Sequence, residues 1–155
     1  MNHLFVIRHG EYGVDYNLDD IGRQQIESLV EQMKKIVGEI KNGFYLLSST
    51  APRAEQTAEI IAQAFGLEGF AKDKRLFTEG GYIPNSLLEE IDGMISPHRE
   101  TTGVIALSTH YEVVKKYPMH FLKKEFGREE RIRGLDTGEG VHFDLEARTY
   151  QIISG

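Results

Sequence analysis

Two arginines and two histidines each follow a short run of apolar residues. Arg8 and His9 follow the first run, Arg53 follows the second, and His110 follows a later one. A guanidinium fork matches the oxygens of a phosphoryl group and keeps its charge, so two forks from different segments can hold one phosphate. A neutral imidazole adds a nucleophilic nitrogen. Together these side chains indicate binding of a phosphoryl group and chemistry on it.

The apolar runs themselves predict strands, because they are short, β-branched or aromatic, and apolar on both faces. Strands are predicted at 3–7, 44–48, 103–107, 141–145 and 150–153. The last two are joined through 146–149 and indicate a hairpin or an edge strand. In open α/β sheets ligands bind beyond the carboxyl ends of the strands, so we expect the arginines and histidines to meet at that edge.

Helices are predicted between the strands from apolar residues at three- and four-residue spacing, at 26–37, 54–65, 87–95 and 113–122. Asn17 or Asp19 is the expected N-cap of the first, and Pro118 is expected to break or kink the last. Arg53 stands at the start of the second helix, whose N-terminal amides favour an anion. The alternation predicts one domain over 1–155, a three-layer α/β/α sandwich with a mostly parallel central sheet.

The composition excludes several classes of protein. The 155 residues are 40% hydrophobic and 27% charged, as in an ordinary globular protein, and the net charge of −6 argues against general binding of nucleic acid. No stretch approaches the ~20 apolar residues of a membrane span, so we expect a cytoplasmic protein. The chain has no cysteine and no paired-histidine metal motif, so neither a metal nor another cofactor is expected.

Four motifs in this order resemble those of the histidine phosphatase superfamily, also called phosphoglycerate mutase-like. Arg8-His9-Gly10-Glu11 after an apolar strand is similar to its signature, and 18–25 resembles the segment that opens its first helix. The segment 48–58 is similar to its second motif, and 107–110 lies where its second histidine is expected. The interval from Arg53 to His110 is short, as in the compact branch that contains the bacterial phosphohistidine phosphatases.

The resemblance implies a covalent mechanism without a metal. His9 would attack phosphorus and form a phosphohistidine, which water then hydrolyses, while Arg8, Arg53 and a protonated His110 stabilise the charge on the oxygens.

The resemblance also bears on other residues. Glu79 is similar in placement to the family's acid, and Glu11 is the alternative proton donor. Asn17 stands near the family's phosphate-binding asparagine, whose own position is occupied here by Asp15. Tyr111 stands where the family often has glycine.

We therefore expect a phosphatase acting on a small phosphomonoester or a phosphorylated protein side chain. Two alternatives remain open, a phosphoglycerate mutase-type phosphotransferase and a non-catalytic phosphate-binding module. A mutase must shield its intermediate from water, whereas a binding module has no need of His9 and His110 together.

Overall fold

A computed structural model describes residues 1–155 and shows a single sheet with helices on both faces. The strands are β1 (His3–Arg8), β2 (Phe44–Ser48), β3 (Ala71–Lys72), β4 (Val104–Thr109), β5 (Gly140–Asp144) and β6 (Thr149–Ile153). The α-helices are α1 (Asp20–Val37), α2 (Pro52–Ala64), α3 (Asn85–Ile95) and α4 (Tyr111–Phe126). Short 3₁₀ segments occupy Lys74–Leu76 and Ser96–His98.

The sheet has the strand order β3-β2-β4-β1-β5-β6. The four strands from β3 to β1 are parallel, whereas β5 runs antiparallel to β1 and pairs with β6 as a hairpin. The predicted mostly parallel sheet and the terminal hairpin are therefore confirmed. Because β1 and β4 are parallel neighbours at the centre, the residues after both strands emerge side by side.

Each face of the sheet has its own apolar core, which establishes the three layers. Alternate side chains of one strand point to opposite faces, so Phe5 and Ile7 pack with α1 and α2. Leu4 and Val6 pack on the other face with α3 and α4. The predicted three-layer α/β/α sandwich is confirmed.

The helix ends follow local chemistry. Asp19 is the N-cap of α1, and its Oδ1 accepts a hydrogen bond from the Gly22 amide at 2.8 Å. Pro52 is the first residue of α2, where its missing N–H costs nothing. Of the two outcomes expected at Pro118, a break is wrong, since α4 continues through it to Phe126. Pro118 is buried against the same core as its neighbours, and this packing offsets the lost backbone hydrogen bond.

Two glycines allow the loop after β1 to lie directly on the start of α1. A Cβ on Gly22 would come within 2.0 Å of the Glu11 carbonyl oxygen, and one on Gly10 within 2.6 Å of the Gly22 oxygen. Only glycine fits such an approach of two backbones. This contact fixes the path of the chain directly after His9.

None of the four helices combines the length and the apolar character that a membrane span requires.

Candidate active site

The carboxyl edge of the central strands brings the predicted residues together. His9 directly follows β1, and its amide donates to the Thr109 carbonyl at 3.0 Å, which ties the ends of β1 and β4. His110 follows β4 and is the N-cap residue of α4, and Arg53 is the second residue of α2. His9, His110 and Arg53 are all buried, at 3%, 2% and 7% exposure.

His9 is a neutral imidazole, with a proton on one ring nitrogen and none on the other. Its Nδ1 lies 2.8 Å from the Gly10 carbonyl oxygen, which can only accept, so Nδ1 carries the proton. Its Nε2 accepts from the Arg53 Nε–H at 3.2 Å. Burial lowers the pKa of His9 to about 4, and the charges of Arg53 and Arg8 add to this effect against the Gly10 hydrogen bond. Nε2 is therefore unprotonated at neutral pH, and its lone pair faces the Arg53 guanidinium.

Arg53 lies between the two histidines and two aromatic rings. Its Nη2 lies 3.5 Å from His110 Nδ1, at the limit of a hydrogen bond, in addition to the bond to His9. The guanidinium carbon lies 4.5 Å from the centre of the Tyr12 ring and 5.6 Å from that of Phe77. No carboxylate is paired with Arg53, so its charge remains available to an anion.

His110 is held as a neutral imidazole by the surrounding protein. Its Nε2 lies 2.7 Å from Ser49 Oγ, while Nδ1 faces the Arg53 guanidinium, so Nε2 carries the single proton. Burial, together with the nearby charges of His9, Arg53 and Arg8, lowers the pKa of His110 to about 3. The surrounding protein by itself favours the neutral form, because His110 lies buried beside two guanidinium groups, and protonation of His110 in the presence of a phosphoryl group stays a prediction. Phe77 stacks on its ring at 5.0 Å.

Arg8 is fixed at one end and free at another. Its Nη1 donates to the Leu135 carbonyl at 2.8 Å, and its guanidinium lies 5.1 Å from the centre of the Tyr111 ring. Its Nε is buried without a hydrogen-bond partner in the protein. A buried donor normally has a partner, and this N–H has none among the groups of the protein itself.

These side chains line a cavity of about 250 Å³. Its walls are formed by Arg8, His9, Tyr12, Tyr16, Arg53, Thr78, Glu79, Gly80, His110, Tyr111 and Glu112. The cavity is the geometric meeting point that the sequence predicts for Arg8, His9, Arg53 and His110.

The two sequence-predicted acids lie in different places. Glu79 lines the cavity from an exposed loop and makes no hydrogen bond to the protein. Glu11 does not line it, and its Oε2 accepts from Thr137 Oγ1 at 3.0 Å in the adjoining groove. Of the two, only Glu79 reaches the cavity.

Asn17, the predicted phosphate ligand, is not among the residues that line the cavity. Its Oδ1 accepts from Gln56 Nε2 at 2.7 Å. The same Gln56 accepts from the Leu18 amide, so Asn17 fastens the loop after β1 to helix α2.

Glu112 is a cavity residue that the sequence analysis does not identify. It lies in the first turn of α4, half-buried, and its Oε1 accepts from Thr78 Oγ1 at 2.8 Å. Its position two residues after His110 is a signal that sequence reasoning can use, because the first turn of a helix that follows a strand lies at the same edge.

One group of possible metal donors lies elsewhere, at Glu89, Asp92 and His120 on α3 and α4. Lys124 Nζ lies 3.2 Å from Glu89 and 2.9 Å from Asp92, so an ammonium group already occupies the centre of these carboxylates. None of these donors lines the phosphate cavity.

Comparisons with known proteins agree with this fold. The model of the histidine phosphatase superfamily (branch 1) matches residues 4–77. The protein histidine phosphatase SixA, solved in complex with tungstate, superposes with a TM-score of 0.73 at 17% identity, over 97% of this chain and 94% of that one. We found no curated protein that matches the chain by sequence.

Two further solved structures share the fold. A putative phosphohistidine phosphatase SixA from Agrobacterium tumefaciens has a TM-score of 0.60 at 16% identity, covering 98% of this chain and 95% of that one. A mycobacterial glucosyl-3-phosphoglycerate phosphatase has a TM-score of 0.67 at 15% identity, covering 99% and 97%. The resemblance inferred from the motifs is thus confirmed: residues 4–77 match the histidine phosphatase superfamily, and the whole chain has the fold of its compact, SixA-like structures.

Proposed function

We propose that this protein is a phosphatase that passes a phosphoryl group through His9 to water. The observation that carries the proposal is the state of His9, whose proton is held on Nδ1 by the Gly10 carbonyl while Nε2 is unprotonated and accepts from the Arg53 guanidinium. The family match and the phosphatases among the solved structures of the same fold support the same class of reaction.

In the first step the lone pair of His9 Nε2 attacks phosphorus, and the bond from phosphorus to the leaving atom breaks. Arg8 and Arg53 bind the equatorial oxygens, where the transition state carries charge. The unsatisfied Nε–H of Arg8 supplies one donor for this purpose. The amides at the start of α2 favour the same anion. His110 is neutral in the protein alone. A phosphoryl dianion beside it would raise the pKa of its imidazole and favour the protonated form.

In the second step a water oxygen attacks phosphorus from the side that the leaving group has vacated. The bond from phosphorus to Nε2 breaks, its electron pair returns to the imidazole, and one water proton passes to a carboxylate of the cavity. Glu79 and Glu112 both line the cavity and are the candidates for this proton transfer. We keep Glu79 as the proton donor to the leaving group and treat Glu112 as its competitor.

The same proposal includes a small phosphomonoester or a phosphorylated protein side chain as the substrate, a cytoplasmic location, and no requirement for a metal. The two guanidinium groups supply the positive charge that a metal ion contributes in other phosphatases. We expect full turnover of p-nitrophenyl phosphate in excess EDTA. Loss of activity in EDTA that Mg²⁺ restores would show that this part of the proposal is wrong.

The test of the covalent step is His9→Ala. We expect this variant to lose turnover of p-nitrophenyl phosphate, because His9 Nε2 is the nucleophile of the proposed first step. After rapid acid-free quenching, the wild-type protein should carry one phosphoryl group that is labile to acid and stable to base, as a phosphoramidate is. Comparable turnover by His9→Ala, or the absence of a labelled histidine in the wild type, would exclude the mechanism.

A further inference from the structure

The phosphate cavity opens into a larger groove, and the two share Arg8, Tyr12 and Tyr16. The cavity holds about 250 Å³, whereas the groove holds about 910 Å³. Sites for small molecules typically measure ~300–1,000 Å³, so the cavity suits a phosphoryl group and a few further atoms. The rest of a substrate that binds there must therefore extend into the groove.

The groove differs in charge from the cavity. Beyond the phosphate-binding arginines of the cavity, its other charged side chains are negative. The groove contains the carboxylates of Glu11 and Asp136, and Arg8 is its one basic lining residue. Arg133 lies nearby in sequence but is paired with Glu139 at 2.9 Å. A leaving group with its own carboxylate or second phosphate would face like charge in the groove without a free cation to bind it.

The groove also presents two exposed tyrosine rings. Tyr12 and Tyr16 stack at 6.5 Å with 23° between their planes and are 37% and 62% exposed. The Tyr12 face already carries the Arg53 guanidinium, at 4.5 Å, whereas no cationic side chain of the protein lies over the Tyr16 ring. An open aromatic face in a groove that also holds carboxylates can bind an ammonium group through cation–π and ionic interactions.

The loop that carries Tyr16 is built to hold this ring in place. The Gly13 amide donates to the Asn17 carbonyl at 3.0 Å, and the Tyr16 amide donates to the Gly13 carbonyl at 3.0 Å. Tyr16 has a φ of 66°, in the left-handed region that a tyrosine rarely adopts. Asn17 and Gln56 fasten the loop to α2, so the ring keeps its position beside the phosphate cavity.

We propose that this groove is the leaving-group site and that it selects phosphorylated substrates whose leaving group carries an ammonium or similar cationic centre. This inference rests on the proposed phosphatase function. The phosphoryl group would bind to Arg8 and Arg53, and the cationic end would lie on the Tyr16 face near Glu11 and Asp136. Substrates with a second anionic group, such as a phosphoglycerate, are disfavoured by the same charges.

The test uses three aryl phosphates that differ only in distant charge: phosphotyramine, 4-ethylphenyl phosphate and 3-(4-phosphooxyphenyl)propionate. Two methylene groups insulate the ring from the charge, so the phenols are similar leaving groups. We expect kcat/KM to fall in that order. At low salt the first and last substrates should differ by about tenfold in kcat/KM, because this is the size of the effect of partly screened charges at close range. We call this ratio the spread. The spread should shrink as NaCl is added.

Two variants locate the effect. Asp136→Asn removes one carboxylate, and Tyr16→Asn removes the ring while keeping a residue that tolerates the left-handed backbone. Each should narrow the spread, chiefly by raising KM for phosphotyramine. Glu68→Gln and Tyr82→Asn are the matched controls, since both residues are exposed outside the groove, and they should leave the spread as in the wild type.

Equal kcat/KM values for the three substrates, a preference for the carboxylate, or a spread that neither variant changes would overturn the inference. Such results would leave the phosphatase proposal intact as long as 4-ethylphenyl phosphate is hydrolysed through His9. No hydrolysis of this neutral substrate by the wild type would instead contradict the proposed function itself.

Discussion

At the scale of single residues, the site combines two neutral histidines with two arginines that have no carboxylate partner. Arg53 is central, because it contacts both imidazoles and is 7% exposed. The proposed role of Arg53 depends on shape as well as charge, since a planar fork can contact His9 and still reach a phosphoryl oxygen.

Arg53→Lys tests this dependence on shape. A lysine keeps the positive charge but offers a compact ammonium in place of the fork. We expect inhibition by vanadate to weaken by about tenfold or more, with the loss of one charge-assisted hydrogen bond of ~1.5–3 kcal/mol. The measurement is the inhibition constant in both proteins. Equal inhibition of the two proteins would show that Arg53 does not bind the oxyanion in the phosphate cavity.

The choice between Glu79 and Glu112 as the proton donor is also a question of single residues. A phosphomonoester that expels an alkoxide needs a donor, to which general acid catalysis contributes ~10²–10⁴-fold, whereas p-nitrophenolate leaves unaided. We expect Glu79→Gln to slow hydrolysis of an alkyl phosphate far more than that of p-nitrophenyl phosphate. The matched variant is Glu112→Gln, with burst kinetics to separate the two steps.

If Glu112→Gln shows the selective loss on the alkyl substrate and Glu79→Gln does not, the donor is Glu112. Thr78→Val then distinguishes a chemical from a positioning role, because it removes the 2.8 Å hydrogen bond to Glu112 while leaving the carboxyl in place.

At the scale of elements, the loop after β1 is aligned by its contact with the start of α1. The backbones of Gly10 and Gly22 approach so closely that neither position has room for a side chain. The contact determines where His9 and Tyr12 lie relative to α2. Stability and activity are therefore linked at this point of the fold.

Gly22→Ala measures that link, and Gly93→Ala is its control. Alanine normally stabilises a helix by ~1 kcal/mol relative to glycine, and Gly93 in α3 has open space around it, so Gly93→Ala should raise the free energy of unfolding. Gly22→Ala should instead lower it and reduce turnover, because its Cβ would meet the Glu11 carbonyl at 2.0 Å. The free energies of unfolding of both variants, measured by denaturant titration, test this difference. If both variants were stabilised to a similar extent, the loop after β1 would be able to move away from the added Cβ without loss of stability.

At the scale of the whole molecule, three buried histidines make stability depend on pH. Burial lowers the pKa of His9 and His142 to about 4 and that of His110 to about 3. The unfolded chain binds these protons near pH 6.5, so it holds more protons than the folded state between that pH and about 4. The stability present above pH 6.5 is therefore lost as the pH falls through this window.

We expect the free energy of unfolding to fall between pH 6.5 and 4.5, by up to ~1.4 kcal/mol per pH unit for each proton by which the two states differ. Urea denaturation at intervals across this range gives the slope. His142→Gln, away from the phosphate cavity and able to keep a hydrogen bond to its neighbours, should make the slope shallower. A flat profile would mean that the histidines titrate normally in the folded protein.

The sequence by itself determined the layers, the sheet edge and the four residues that meet there. Periodicity and strand ends are local signals, and parallel strands bring their carboxyl ends together wherever they lie in the chain. That reasoning placed Arg8, His9, Arg53 and His110 correctly in one cavity. It also anticipated the terminal hairpin of β5 and β6.

Only the tertiary structure decided the protonation and the walls of the site. The neutral state of His110 follows from burial beside two guanidinium groups, and these come from segments distant in the chain. Glu112 enters the cavity because α4 starts at the sheet edge, whereas Asn17 is drawn to Gln56 and Glu11 to Thr137. The neutral state of His110 and the hydrogen bonds of Asn17 and Glu11 depend on contacts across many residues of sequence, which no local pattern encodes.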